Sequence, residues 1–298
     1  PLKTPMKKKK SEPYDVVMML RILVLQRLYN LSDDQTEYQI NDRMSFMRFL
    51  GINLCEKVPD AKTIWKFKND LAETETVDKL FCMFDEHLEN KGLISHKGTI
   101  VDATFVDAPR QRNSRDENKK IKNGVIPEEW EKPENKSKLA QKDIDADWTK
   151  KNGERHFGYK DHVKCDADSK LITNYSVTSA SVHDSQRCLV FIGQEDEVLY
   201  ADSAYSGKPI ALALPENCKN QICEKGYRNS PLTSEQKMNN RRKSRIRCRI
   251  EQIFGFMTGA MHGITIRSIG ITRAWMNIGI TNLVYNFCRY SYLKRASA

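Results

Sequence analysis

The chain has 298 residues and carries 49 Lys+Arg against 39 Asp+Glu, a formal charge of +10. That length suits one large or two ordinary domains, and the charge favours a polyanionic partner, nucleic acid first, although a merely basic soluble surface would give the same total. Eight cysteines without a Cys-x-x-Cys pair argue against a structural zinc and for a reducing compartment, and the longest apolar run, Val16–Leu25, is broken by Arg21 and too short to span a bilayer.

Residues 1–13 hold Lys7–Lys10 and three prolines and read as a basic, flexible arm, either solvated or DNA-binding. The first residue is not Met, which leaves room for residues ahead of Pro1. No signal-peptide pattern follows. Residues 14–97 read as a compact helical N-terminal domain for DNA binding or multimerisation. Val16, Leu20, Leu23, Val24 and Leu28 recur at helical spacing, and Ser32 with Gln35 has capping-box spacing. Phe46, Met47, Phe49 and Leu50 precede Gly51, a helix stop, and Pro59-Asp60 opens a helix carrying Ile64, Trp65, Phe67 and Leu71. Lys62, Lys66 and Lys68 on that helix either meet phosphates or line an ordinary surface. Val77, Leu80, Phe81, Phe84 and Leu88 mark a last helix before Gly92.

Residues 98–298 read as the second domain. Its first strand, Gly98–Val106, is β-branched or aromatic on both faces, the pattern of a central strand. Asp102 interrupts it, and a carboxylate there needs a cation or a donor. It is either a strand-end residue or a metal ligand. Residues 107–155 form a polar stretch with little periodicity, holding Arg110, Arg112 and Arg115, and read as an insertion. Phe157–Cys165 alternates Phe157, Tyr159, Val163 and Cys165 with Lys160, His162 and Lys164, which predicts a hairpin with Leu171–Val177, His162 lying on the sheet surface. His183-Asp184-Ser185 starts a helix, Val198–Asp202 is a short buried strand, and Asn220–Cys223 is a fifth strand. A long helix covers Glu235–Met257, with Ile246, Ile250, Ile253, Phe254 and Met257 inward, and a final helix covers about 272–289, with Ile280, Leu283, Val284 and Phe287 inward.

With the fourth strand beside the first, Asp102 and Asp202 lie near one sheet end. Glu251, about 100° round its helix from Ile250, can lean over them. Three carboxylates make a hard-oxygen site suited to Mg²⁺ or Mn²⁺, and two ions about 3.5–4 Å apart would serve phosphoryl transfer. Arg241, Arg242, Lys243, Arg245, Arg247 and Arg249 crowd the turns before Glu251. Either they form a solvated face or, as like charges at i, i+4 repel, they face a polyanion such as the DNA backbone. Arg110, Arg112 and Lys160 are further candidate DNA contacts.

Ile100-Val-Asp-Ala-Thr104, Ala201-Asp-Ser-Ala-Tyr205 and Arg249-Ile-Glu-Gln-Ile-Phe-Gly255 together resemble the DDE transposases of bacterial insertion sequences, specifically insertion-sequence family five. The likeness extends to the run Tyr38–Gly51, to His156-Phe-Gly-Tyr-Lys160 and to Ala180-Ser-Val-His-Asp-Ser185, and covers nearly the whole chain from Tyr14 to Arg289. It implies an RNase H-like α/β fold with a mixed sheet, flanking helices and a helical N-terminal domain. It also implies a catalytic, metal-binding triad at Asp102, Asp202 and Glu251, and a homodimer or larger multimer on double-stranded DNA, engaging terminal inverted repeats and target DNA. A cytoplasmic, nucleoid-associated protein follows. The segment before Tyr14 is shorter than the family's. His183 and Asp184 match a family motif and either cap the next helix or assist catalysis, and Tyr205 packs beside the site. Two rivals share these features: an RNase H-like nuclease or resolvase, and a domesticated DNA-binding protein without catalysis.

Overall fold

The computed structural model describes residues 13–151 and 153–296, so the basic arm lies, apart from Pro13, outside the described residues. Five helices come first: α1 (Val16–Leu28), α2 (Asp33–Asp42), α3 (Met44–Leu50), α4 (Ala61–Glu73) and α5 (Thr76–Asn90). Their ends follow local chemistry. Ser32 and Gln35 close the expected capping box on α2, Asp60 accepts the Thr63 N–H to start α4, and Gly51 ends α3 in the left-handed conformation that glycine adopts without strain. The buried stripe of α1 is Met19, Ile22, Leu23, Leu25, Gln26 and Arg27, and Val16 is exposed.

The rest is a mixed α/β unit: β1 (Thr99–Asp107), α6 (Arg115–Lys122), α7 (Glu128–Glu131), α8 (Lys136–Ala140), β2 (Asp147–Lys151), β3 (Glu154–Asp166), β4 (Ile172–Ser179), α9 (Ser185–Phe191), β5 (Val198–Ala201), α10 (Lys208–Ala213), β6 (Lys219–Asn220), α11 (Ser234–Thr258) and α12 (Ile271–Ala296). β1 pairs antiparallel with β3 on one side and parallel with β5 on the other, and β6 extends the parallel half. β2 and β4 lie end to end along the far edge of β3. The mixed sheet with flanking helices and a helical N-terminal part is the fold class expected from the sequence. The expected fifth strand is shorter as a strand, but its pairing continues, with Gln221 N–H donating to Leu199 O and Cys223 N–H to Ala201 O.

Both faces of the sheet are buried. Ile100 belongs to the large core formed with α11, α12 and the N-terminal helices, and the next residue, Val101, belongs to a smaller core with Cys188 of α9, Ile210 of α10 and Tyr205. This alternation is the period-2 rule of a strand. It places Asp102 on the face of Ile100, beneath α11. α12 packs on β4 and on α1, α4 and α5, and Asn277 of α12 accepts from the buried Arg27 of α1 at 2.6 Å.

β3 departs from the expected alternation of buried and exposed faces. Lys160, His162 and Lys164 are all buried. Their polar ends are met by residues distant in sequence: Asp184 for Lys160 at 2.7 Å, Thr178 for His162 at 2.8 Å and Asp196 for Lys164 at 2.9 Å. His162 is therefore no surface residue, and burial holds its imidazole down at about 4, neutral. The segment after β1 is also more ordered than its weak periodicity predicts. Ser114 and Glu117 make a capping box on α6, Trp130 is buried with its indole N–H on Glu117, and β2 adds to the sheet.

Candidate active site at the carboxyl ends of β1 and β5

The register of the parallel pair matches Val101 with Ala201. The next residue on each strand is an aspartate, Asp102 and Asp202, so the two stand side by side where β5 ends. Both follow a residue of the smaller core, so strand parity turns both toward α11. Ile250 on α11 is fully buried against the sheet, which brings its neighbour Glu251 to the rim, 56% exposed.

The third component is Arg247, one helical turn before Glu251. Its guanidinium donates to Asp102 Oδ2 at 3.0 Å and to Glu251 Oε1 at 2.8 Å. Against the desolvation of its partly buried side chain, the charges of Asp102, Glu251 and Asp202 together hold Arg247 above its ordinary value. Burial pushes the Asp102 carboxyl up. The Ala103 N–H, Arg247 and Lys151 pull it back, and Asp202 adds to the rise. The three carboxylates thus come from β1, from the end of β5 and from α11, and act on one cation between them.

The basic residues of α11 divide into two sets. Lys243 donates to Ile222 O and faces Glu224, Arg247 bridges the carboxylates, and Arg249 donates to Ala167 O and Asp168. These three are engaged within the protein rather than presented as a phosphate face. Arg241, Arg242 and Arg245 are exposed and make no ion pair among the described residues. Lys160 is corrected in the same sense. It is buried under Asp184 and Val182 O rather than free for DNA. Lys68 likewise is held by Asp33, whereas Lys62 and Lys66 are exposed. Arg110 and Arg112 are exposed, Arg110 lying over the Trp148 ring at 5.8 Å.

Asp184 does not cap α9 with its side chain, since its carboxylate is spent on Lys160. Instead His183 Nδ1 accepts from Ser185 N–H at 3.3 Å and faces Ser185 Oγ at 2.8 Å, so the capping expected of Asp184 or Ser185 falls to His183. Tyr205 is buried in the smaller core. Its hydroxyl lacks a hydrogen-bond partner among the described residues, and burial, with the charges of Asp102 and Asp184, raises its pKa. Sequence reasoning missed Arg247 as the bridge between carboxylates. The signal was the Arg-x-x-x-Glu spacing, which puts both side chains on one helix face.

Another group of candidate ligands lies at the opposite end of β5. The ligand atoms of His96, Glu195 and Asp196 are all within 4.8 Å of one another, a closeness that, among the described residues, the β1–β5–α11 carboxylates do not reach. Lys164 occupies that group, at 2.9 Å from Asp196 and 3.3 Å from Glu195.

Residues 94–287, more than half of the chain, match the family described as Transposase DDE domain. The chain belongs to the DDE transposases. Residues 2–70 match a second family, described as Transposase domain (DUF772). Among solved structures, the chain is similar to a piggyBac transposase in a synaptic complex with hairpin DNA, with a TM-score of 0.44 and 11% identity over 97% of this chain and 70% of that one. Similarity at that level carries no detail from one transposase to the other. No helix among the described residues is long and apolar enough to cross a membrane.

Proposed function

We propose that this transposase cuts DNA at insertion-sequence ends and joins the freed 3′-hydroxyls to target DNA, with Asp102, Asp202 and Glu251 as the carboxylates of its active centre. The observation that carries this reading is the convergence of carboxylates from three separate elements on the Arg247 guanidinium. A site built to hold one cation between oxygen ligands fits Mg²⁺ or Mn²⁺, the hard ions such a donor set prefers. Asp202 and Glu251 are exposed and keep oxygens free for that role. Two divalent ions bound there would activate the attacking hydroxyl and neutralise the leaving oxygen.

The chain's own residues account for the rest. The Ala103 N–H fixes one Asp102 oxygen and leaves the other turned to the site. The parallel strands hold Asp102 and Asp202 rigidly, and the helix places Glu251 at the rim, where a phosphodiester can approach. Phosphoryl transfer asks mainly for positioning and charge neutralisation, which this arrangement supplies without a covalent nucleophile. The exposed Arg241, Arg242 and Arg245 would hold the phosphate backbone beside the reacting bond. A homodimer or larger assembly holding both ends follows from the same reading.

The test uses a linear duplex carrying the DNA that flanks the coding region, a second duplex as target, and Mg²⁺. The parent is expected to release 3′-hydroxyls and to join them. Asp102→Asn, Asp202→Asn and Glu251→Gln are each expected to lower cleavage by about a thousandfold or more, the several kcal/mol that metal-borne charge stabilisation supplies, with DNA binding kept. Cleavage without joining would favour the nuclease reading. Substantial cleavage by one variant would remove that residue from the centre.

A further inference from the structure

We propose that the groove between α6 and β2 is a second DNA track, which holds the backbone of a duplex chosen without regard to sequence, as target DNA is. This inference rests on the transposase reading above.

The groove encloses about 750 Å³. Arg112, Arg115, Lys119, Lys122, Lys150 and Arg155 line it, and all six are exposed. None of these side chains makes an ion pair or hydrogen bond among the described residues. The contrast with α11 is direct, since three of that helix's seven Lys and Arg are engaged by the protein itself. Of the two acids on α6, Glu117 is turned away to Ser114, Trp130 and Lys138, and Asp116 is exposed and does not line the groove. Asp147, which also lines the groove, accepts the Trp148 N–H. Six cations against the single carboxylate of Asp147 leave this concavity strongly positive, and a polyanion relieves their repulsion.

The lining also says which polyanion, and how it is held. Two amides of the lining are occupied. Gln111 exchanges hydrogen bonds with Asp143 through both ends of its amide, and Asn113 is bound to Asn118 and Lys142. Exposed Lys and Arg side chains spread over an open groove meet the phosphate backbone first, and phosphate contacts do not specify sequence. Trp148 in the groove wall packs on Phe157, with ring centroids 5.0 Å apart, and lies under Arg110, so it offers no open face on which an unpaired base could stack. A duplex fits this surface better than a single strand.

Position links the groove to the active site. β1 runs five residues past Asp102 to Asp107, which is level through Gly158 with Asp147 at the near edge of the groove, roughly 17 Å along the strands at about 3.3 Å per residue. That is about half of a 34 Å helical turn of DNA. Lys151, next to the groove residue Lys150, acts on Asp102 and lies over Phe105. A duplex with one phosphate at the carboxylates would therefore meet this groove half a turn away.

The experiment compares the parent with the triple variant Arg115→Ala/Lys119→Ala/Lys150→Ala, on a duplex carrying the flanking ends and on an unrelated one, as salt is varied. Three lost phosphate contacts should reduce the slope of log K against log[salt] by about 2.7 and weaken binding near 0.1 M salt on the order of a hundredfold, equally for both duplexes. A hydroxyl-radical footprint should lose protection about half a turn from the cut phosphate and keep it at the cut. Lys119→Arg/Lys150→Arg should bind as the parent does, which separates charge from folding. An unchanged slope, or a loss confined to the end-bearing duplex, would overturn the groove assignment and leave the transposase reading intact. So would a changed oligomeric state at unchanged slope, which would make the groove a contact between copies. A parent that neither binds nor cuts any duplex would overturn both.

Discussion

Acidic groups gather around a cation at both ends of the parallel pair β1 and β5, and the two gatherings are built differently. At the amino ends, Asp196 is 1% exposed. Its oxygens are taken by Thr99 Oγ1 at 2.6 Å, Gly193 N–H at 2.9 Å and Lys164 Nζ at 2.9 Å. Three of its about four acceptor sites are taken, and the Lys164 ammonium stands where an ion shared with His96 and Glu195 would sit. At the carboxyl ends, Glu251 is more than half exposed, Asp202 accepts, among the described residues, only from the neighbouring Ser203 N–H, and the cation is an arginine on a long side chain anchored one turn away. Closeness of ligand atoms alone would pick the first cluster as the metal site. Satisfaction of those atoms picks the second, because the buried Asp196 already has three donors and a fixed ammonium, whereas Asp202 and Glu251 keep oxygens open to solvent.

The largest effect that would break this comparison is on stability at the amino ends. Lys164→Met should destabilise the fold by about 3–5 kcal/mol, since it strands the buried Asp196 without its countercharge. Glu251→Gln should change stability by no more than about 0.5 kcal/mol, as expected of an exposed i, i+4 pair. Urea unfolding measures both. Equal losses would mean that the carboxyl-end cluster is as much a structural ion network as the other.

A carboxylate with no cation sharpens the contrast. Asp161 in mid-β3 is fully buried, and burial pushes it up to about 8 even though the Asn282 amide donates to Oδ1 at 3.1 Å. Its other oxygen has no hydrogen-bond partner among the described residues. The folded state therefore keeps a proton that the unfolded chain releases near pH 4. Stability attributable to this group is complete below about pH 4, falls as pH rises toward 8, and then levels off. Asp161→Asn should remove that slope and stabilise the protein at pH 8 on the order of 2 kcal/mol, a cautious fraction of the shift. A stability–pH profile between 4 and 8 unchanged by the substitution would contradict the assignment.

These cases also show what the sequence made legible. The strand and helix order follows from local patterns, because strand parity and helix periodicity are local; the common end for Asp102 and Asp202 follows only on the condition that β5 pairs beside β1, a long-range pairing that the structure supplies. The state of β3 is not local either. Alternating Lys160, His162 and Lys164 looks like a wetted face, and only the arrival of Asp184, Thr178 and Asp196 from later elements buries it. The same limit separates the α11 arginines: the spacing of Arg245 and Arg249 is equivalent, but Asp168, in the turn after β3, claims Arg249 alone. The groove was hidden because its cations come from two segments, α6 and the β2–β3 hairpin, that only the sheet brings together.

The smallest effect concerns Arg247 and bears directly on why the two clusters differ. Arg247 stands between Asp102 and Glu251, so a divalent ion must displace one or both of its hydrogen bonds to reach those oxygens. Hydrogen bonds to charged groups are worth about 1.5–3 kcal/mol, and half-exposed Glu251 places the pair near the low end. Removing the competitor by Arg247→Ala should therefore tighten Mn²⁺ binding to the DNA-free protein by about tenfold, the equivalent of 1.4 kcal/mol. The opposing effect is repulsion among the three carboxylates, but a bound divalent ion relieves that repulsion as well as the arginine did. Titration followed by Mn²⁺ electron paramagnetic resonance reads the change without any turnover. Asp102→Asn should abolish the tightened binding, and Glu195→Gln at the other end of the sheet should leave it untouched. If Arg247→Ala binds Mn²⁺ no better than the parent, or if Glu195→Gln removes the ion, then the arginine is not the occupant that gives way, and the metal belongs with His96 instead.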